Sequence, residues 1–166
     1  MKNKIIVIAD DIRSSHNVGS LLRTCEGLGI EKVYLSGYTP YPISENDNRL
    51  PHLAKKITNK ILKTSLGAEE SIDWEHINNT SDAVKDLKAK GYQIIAVELT
   101  KNAVALSDLK IPSKVAFIFG NERTGISSEI LKSVDKIICI PMLGRKESFN
   151  VVQSAAMVLY AARFID

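Results

Sequence analysis

A chain of 166 residues with 45 % apolar and 25 % charged side chains has the balance of one globular domain, long enough to bury a sizeable core. Its formal net charge of +3 admits a nucleic-acid partner without demanding one, because local clustering of cations matters more than the total. No apolar run approaches the ~20 residues that span a bilayer. Ile5-Ile6-Val7-Ile8 is also too short for a signal-peptide core, so a single domain over 1–166 with a cytoplasmic location and no membrane partner is expected.

Taken in order, Lys4 to Ala9 is a continuous apolar run of the kind found in a strand buried on both faces. Val18 to Leu28 is predicted helical, with Asn17 as N-cap and Gly29 as the stop. Lys32 to Leu35 reads as a second strand, and 36–50 as a loop rich in Pro, Gly, Asn and Ser. Pro51 to Lys63 follows as a helix whose inward stripe is Leu53, Ile57 and Ile61. A short strand around Trp74 is expected within 71–77, then a helix from Ser81 to Lys90 that stops at Gly91. Three further apolar strands occupy 93–97, 115–119 and 136–140, with a short helix over 128–134 between the last two. The final helix spans 151–163, with Asn150 as its cap and Gln153 in the capping-box position.

This alternation predicts an α/β fold: a mostly parallel sheet with helices on both faces. Ligands in such sheets sit beyond the carboxyl ends of the strands. Here those ends are Asp10, Glu98-Leu99, Gly120-Asn121-Glu122 and Pro141-Met142, which mark the candidate site. Cys25 and Cys139 lie far apart in apolar patterns and outside any ligand spacing, so no metal site is expected.

Three polar segments carry the chemistry. In the first, Arg23 points away from the apolar stripe Val18, Leu21, Leu22, Cys25 and Leu28. Arg23 and Arg13 could hold a phosphate or a ribose hydroxyl beside the helix start; ordinary surface arginines are the alternative. In the second, Gly120 follows an apolar strand directly, where glycine lets a ligand approach the backbone. Gly120 to Gly125 has GxxxxG spacing but no following Lys-Ser/Thr, which disfavours a P-loop, and no GxGxxG follows the first strand, which excludes a Rossmann dehydrogenase. In the third, Pro141 to Asn150 leads into a helix apolar on nearly every side. Such a helix needs covering twice, most simply by a dimer partner, or else by a central packing position.

Together, Asn17-x-Gly19-x-x-x-Arg23-Thr24, Phe119-Gly120-Asn121-Glu122-Arg123-Thr124-Gly125-Ile126-Ser127, and Ile140-Pro141-Met142 with Ser148-Phe149-Asn150-Val151 resemble the three signature motifs of the SpoU (TrmH-like) family of SPOUT methyltransferases. The resemblance implies a C-terminal deep trefoil knot, S-adenosylmethionine as methyl donor, a homodimer whose sites draw on both subunits, and 2′-O-methylation of a ribose in RNA. By position, Arg23 is implied to engage the ribose 2′-OH with Asn17 beside it, while Glu122, Ser148 and Asn150 complete the catalytic pocket. Donor contacts are implied at Val97, Glu98, Leu99, Gly120, Ile140, Leu143 and Phe149. Phe149 stands where the family usually has leucine, and Val152 where serine is common.

For the RNA itself, Arg13, Arg49, Lys55, Lys56, Lys60 and Lys63 are the candidate phosphate contacts, a solvated charged helix face being the alternative. The absence of a long extension at either end resembles minimal tRNA-modifying members, so tRNA is expected ahead of rRNA. A non-catalytic RNA-binding module of the same fold is the rival reading.

Overall fold

The computed structural model describes residues 3–45 and 47–165; the start at Met1-Lys2 and the last residue, Asp166, lie outside them. Seven strands form one sheet in the order β3-β2-β1-β6-β4-β7-β5. They are β1 (Lys4–Asp10), β2 (Lys32–Ser36), β3 (Trp74–Ile77), β4 (Gln93–Val97), β5 (Val104–Ala105), β6 (Lys114–Phe119) and β7 (Lys136–Cys139). Every pairing is parallel, as the runs of β-branched residues lead one to expect. Six of these strands match the predicted runs; the two-residue β5 has no pattern long enough to read.

Alternation along each strand sorts the core into two layers. Ile5, Val7 and Ala9 of β1, with Phe117 and Phe119 of β6, face α1 (Ser15–Gly27), α2 (Pro51–Ser65) and α6 (Val151–Phe164). Ile6 and Ile8 with Ala116 and Ile118 face α4 (Thr80–Ala89) and α5 (Ser128–Ser133). The one-turn helix α3 (Ala68–Ser71) follows α2 through Leu66 and Gly67, both at positive φ.

Two local expectations change. Helix α1 begins a turn early, capped by Ser14, whose side chain accepts from the Asn17 amide at 3.3 Å. Asn17 therefore lies inside the first turn with its carboxamide free for other bonds. In α2 the inward stripe runs through Ala54, Ile57 and Ile61, while Leu53 is 44 % exposed. The terminal helix has the predicted capping box between Asn150 and Gln153.

Gly19 shows why α1 and α2 pack so closely. A Cβ there would lie 2.2 Å from the Ile61 carbonyl oxygen and 2.2 Å from Thr64 Oγ1. Thr64 Oγ1 also donates to the His16 carbonyl at 2.8 Å, fixing the two helices in register. Gly19→Ala is expected to push α2 outward and destabilise the fold by about 1–3 kcal/mol, the usual effect of overpacking. Urea unfolding checks this, and an unchanged midpoint would contradict the close contact.

Candidate active site

The carboxyl ends of β4, β6 and β7 open onto a cavity of about 400 Å³. Its walls mix apolar groups, Val97, Phe119, Ile140, Phe149 and Val151, with polar ones, Glu98, Asn121, Glu122, Ser148 and Asn150. Cys139 also reaches the cavity and is half-buried, whereas Cys25 is fully buried, which pushes its thiol pKa far up.

At the junction of the three polar segments stands Glu122. Its Oε2 accepts from the Arg13 amide at 2.8 Å, and its Oε1 accepts from Asn17 Nδ2 at 2.8 Å and the Ser14 amide at 3.3 Å. Asn17 Oδ1 in turn accepts from Asn150 Nδ2 at 3.3 Å. Asn150 Oδ1 accepts from the Val152 amide at 2.8 Å, so the same side chain caps α6. One continuous chain of hydrogen bonds thus joins the start of α1, the loop after β6 and the start of α6.

Two further side chains sew the loops from within. Asn121 Nδ2 donates to the Asp11 carbonyl at 2.8 Å, and its Oδ1 accepts from the amides of Arg123 and Thr124 at 2.9 and 3.1 Å. Glu98 accepts from the Ile126 amide at 2.9 Å and from the Leu99 amide at 3.0 Å. Its carboxylate ties the loop after β4 to the loop after β6. Gly125 has φ +68, and a Cβ there would sit 2.4 Å from Glu98 Oε2.

Gly120 has a second reason to be glycine besides its place on the cavity wall. A Cβ there would meet Ile126 Cγ1 at 2.5 Å and the Gly125 carbonyl carbon at 2.8 Å. Its own loop forbids a side chain, although the residue does line the cavity.

Of the residues singled out from sequence, Val97, Glu98, Leu99, Gly120, Glu122, Ile140, Ser148, Phe149 and Asn150 line the cavity. Asn17 and Arg13 reach it through Glu122. Arg23 is exposed on α1, outside the lining, and its side chain makes no hydrogen bond or ion pair among the described residues. Leu143 does not join them: it is 100 % exposed, on an irregular loop that gives it nothing to pack against.

Arg49 also departs from its expected role. Its guanidinium donates to Asp47 Oδ1 at 2.8 Å and to the Tyr41 carbonyl at 2.9 Å, and it stacks 3.6 Å above the Tyr41 ring. It ties Tyr41 and Pro42 to Asp47 and is not a free phosphate contact. Lys55, Lys56, Lys60 and Lys63 are all exposed on α2, with no ion pair among the described residues.

The cavity fits a nucleoside-like methyl donor in its chemistry. It falls within the size range of small-molecule sites and combines apolar walls with a few placed polar groups. A nucleoside donor needs that combination, with apolar contact for its base and hydrogen bonds for its polar edge.

The fold and site define an α/β domain with a cavity among the loops at the carboxyl edge of a parallel sheet. The chain matches the model of the SpoU rRNA Methylase family over residues 4–160 and belongs to that family. It is 29 % identical over 159 residues to a tRNA (guanosine(18)-2'-O)-methyltransferase of Aquifex aeolicus, covering 96 % of this chain and 68 % of that one. A protein of the same name from Borreliella burgdorferi is 30 % identical over 161 residues, with 96 % and 66 % covered. The chain therefore spans about two thirds of the length of these curated relatives. The crystal structure of the A. aeolicus TrmH/SpoU tRNA modifying enzyme matches with a TM-score of 0.79 at 26 % identity, covering 97 % of this chain and 76 % of that one.

Burial opposes ionisation of Glu122, but bonds from the Arg13 amide, the Asn17 carboxamide, its own amide and the Ser14 amide outweigh it and hold the carboxyl pKa below the ordinary value. A lowered folded-state pKa adds stability above the unfolded pKa, and that stability is lost as pH falls through the folded one. Wild type is therefore expected to lose its stability advantage over Glu122→Gln as pH drops below the ordinary carboxylate range. Urea midpoints for both proteins across acid pH check this; a constant difference would contradict it.

Proposed function

We propose that this chain methylates a ribose 2′-oxygen in RNA with S-adenosylmethionine as donor, tRNA ahead of rRNA, as a single domain over 1–166. The observation that carries the reading is the hydrogen-bonded convergence of Asn17, Glu122 and Asn150 beside one cavity. The names of the relatives support the ribose 2′-oxygen and tRNA. A cytoplasmic location goes with this reading. Among the described residues, no helix is long and apolar enough to cross a membrane.

When bound, S-adenosylmethionine supplies a methyl group on an electrophilic sulfonium centre. Val97, Ile140 and Phe149 would hold its apolar parts, and the backbone at Glu98, Leu99 and Gly120 its polar edge. The chain's own contribution is alignment, the main requirement of an in-line displacement. Asn17 and Asn150, locked through Glu122, set the rim against which the ribose rests. The 2′-hydroxyl must lose its proton as the new bond forms. A guanidinium does not act as a base in proteins, so Arg23 stabilises the negative charge growing on that oxygen, and an RNA phosphate takes the proton.

Arg23 stands outside the cavity of its own chain, and this favours a homodimer in which Arg23 of the partner subunit completes the site. Helix α6 supports the same assembly: Met157, Tyr160 and Phe164 form an exposed apolar stripe at i, i+3 and i+7. The strand order, with β6 between β1 and β4 and β7 between β4 and β5, is compatible with the trefoil knot that we propose for the C-terminal part. The position of Arg23 also keeps a non-catalytic RNA-binding module as the second reading.

A tritiated methyl-transfer assay separates the two readings, using RNA from cells lacking this protein, fractionated into tRNA and rRNA and digested to nucleosides. Label in a 2′-O-methyl nucleoside of the tRNA fraction is expected, and Arg23→Lys should lose at least ~90 % of turnover because it lacks the planar fork. No label from folded, RNA-binding protein would favour the module; full turnover by Arg23→Lys would remove the geometric role.

The exposed lysines of α2 are assigned to the RNA phosphates. Neutralising Lys55, Lys56 and Lys60 together should reduce the slope of log K against log salt by about two to three units. An unchanged slope would take α2 out of the footprint.

A further inference from the structure

A second cavity, of about 390 Å³, opens beyond the carboxyl ends of β1 and β2 and shares no lining residue with the first. Asp10 and Asp11 stand on one side, Asn78 and Glu129 on others, and Tyr38 at the lip. Its floor is ordered: the Thr80 hydroxyl lies 2.5 Å from Asp10 Oδ1 and 2.6 Å from Ser36 Oγ, and all three residues are buried.

The loop carrying Tyr38 is pinned at successive residues. The Gly37 amide donates to the Ile77 carbonyl at 2.9 Å, and the Tyr38 amide to Asp11 Oδ1 at 2.7 Å. Thr39 Oγ1 donates to the Ala9 carbonyl at 2.9 Å and accepts from the Ile12 amide at 3.0 Å. Gly37 makes this possible: its φ is +62, and a Cβ there would lie 2.2 Å from Asp11 Oδ1. Behind the loop, the His76 ring stacks on Tyr41, which lies beneath Arg49. On this fixed backbone the Tyr38 ring stands 89 % exposed, with no aromatic or cationic partner among the described residues.

We propose that this cavity binds an unpaired nucleobase of the RNA substrate, stacked on Tyr38 and read through an exocyclic amino group; the proposal rests on the RNA reading above. An aromatic ring at the lip of a polar pocket is how proteins hold splayed-out bases. The lining holds no Lys or Arg, so a phosphate has nothing to pair with there. Acceptors line it instead, in the carboxylates of Asp11 and Glu129 and the carboxamide oxygen of Asn78, beside the hydroxyls of Ser81 and Ser127. They suit adenine, cytosine or guanine, each of which carries an amino group, and disfavour uracil, which presents two carbonyls. The bond from Asn121 to the Asp11 carbonyl joins this lip to the first cavity.

The test is fluorescence anisotropy of labelled oligo(A), oligo(C) and oligo(U) with the intact protein across a salt series. Wild type is expected to prefer oligo(A) or oligo(C) over oligo(U). Tyr38→Ala should lose about tenfold in affinity for the preferred oligomer, the effect of one lost base stack, while Tyr38→Phe stays within about twofold of wild type. The salt slope should not change in Tyr38→Ala, because no phosphate contact is removed. Equal affinity of Tyr38→Ala and wild type, a preference for oligo(U), or a reduced slope would overturn the subsite while leaving the RNA reading intact. Displacement of the oligomer by free adenosine at matching base concentration would reassign the cavity to a nucleoside. Failure of wild type to bind any of the three would count against the RNA reading itself, and the subsite with it.

Discussion

Remove the proton from one carboxyl group, Glu122, and three backbone or side-chain donors from a segment more than a hundred residues away gather on it. The Arg13 and Ser14 amides lie ahead of α1, where helix geometry leaves the first N–H groups without intrahelical partners. A carboxylate at that point satisfies those donors and complements the positive end of the helix. Through Asn17 the same contact passes to Asn150, which caps α6. The loops around the cavity are thus bound to one another and not merely adjacent.

The rest of the fold keeps that junction in place. A fully parallel sheet sets the loops after β1, β4, β6 and β7 along one edge, and its two apolar layers hold the helices that leave from them. Glu98 and Asn121 then take up amides and a carbonyl that irregular loops would otherwise leave to water. Gly120 and Gly125 permit the tight crossing of these loops. Polar side chains here serve backbone groups first, and the ligand meets the surface that results.

Much of this was legible in the residues. Strand runs, turn glycines, the capping box at Asn150 and Gln153 and the grouping of three polar segments all follow from periodicity and local chemistry. The parts that were not legible depend on partners distant in sequence. Ser14 and Asn17 are both good N-caps, and only the position of Glu122 decides that Asn17 is freed for another role. Arg49 sits in a basic stretch, and nothing in its neighbours announces that Tyr41 and Asp47 enclose it. Leu143 fits an apolar donor contact by type, yet its irregular loop leaves it in solvent. The glycine at 120 signals close approach, but not that its own loop is what approaches.

The most direct test of the junction is a double-mutant cycle between Asn17→Ala and Glu122→Ala, read by urea unfolding at neutral pH. Hydrogen-bonded neighbours that act as one unit couple by about 0.5–3 kcal/mol, so the double variant should be less destabilised than the sum of the singles. Destabilisations that add to within ~0.3 kcal/mol would show the two residues to be independent, and would contradict the account of how the three segments are held together.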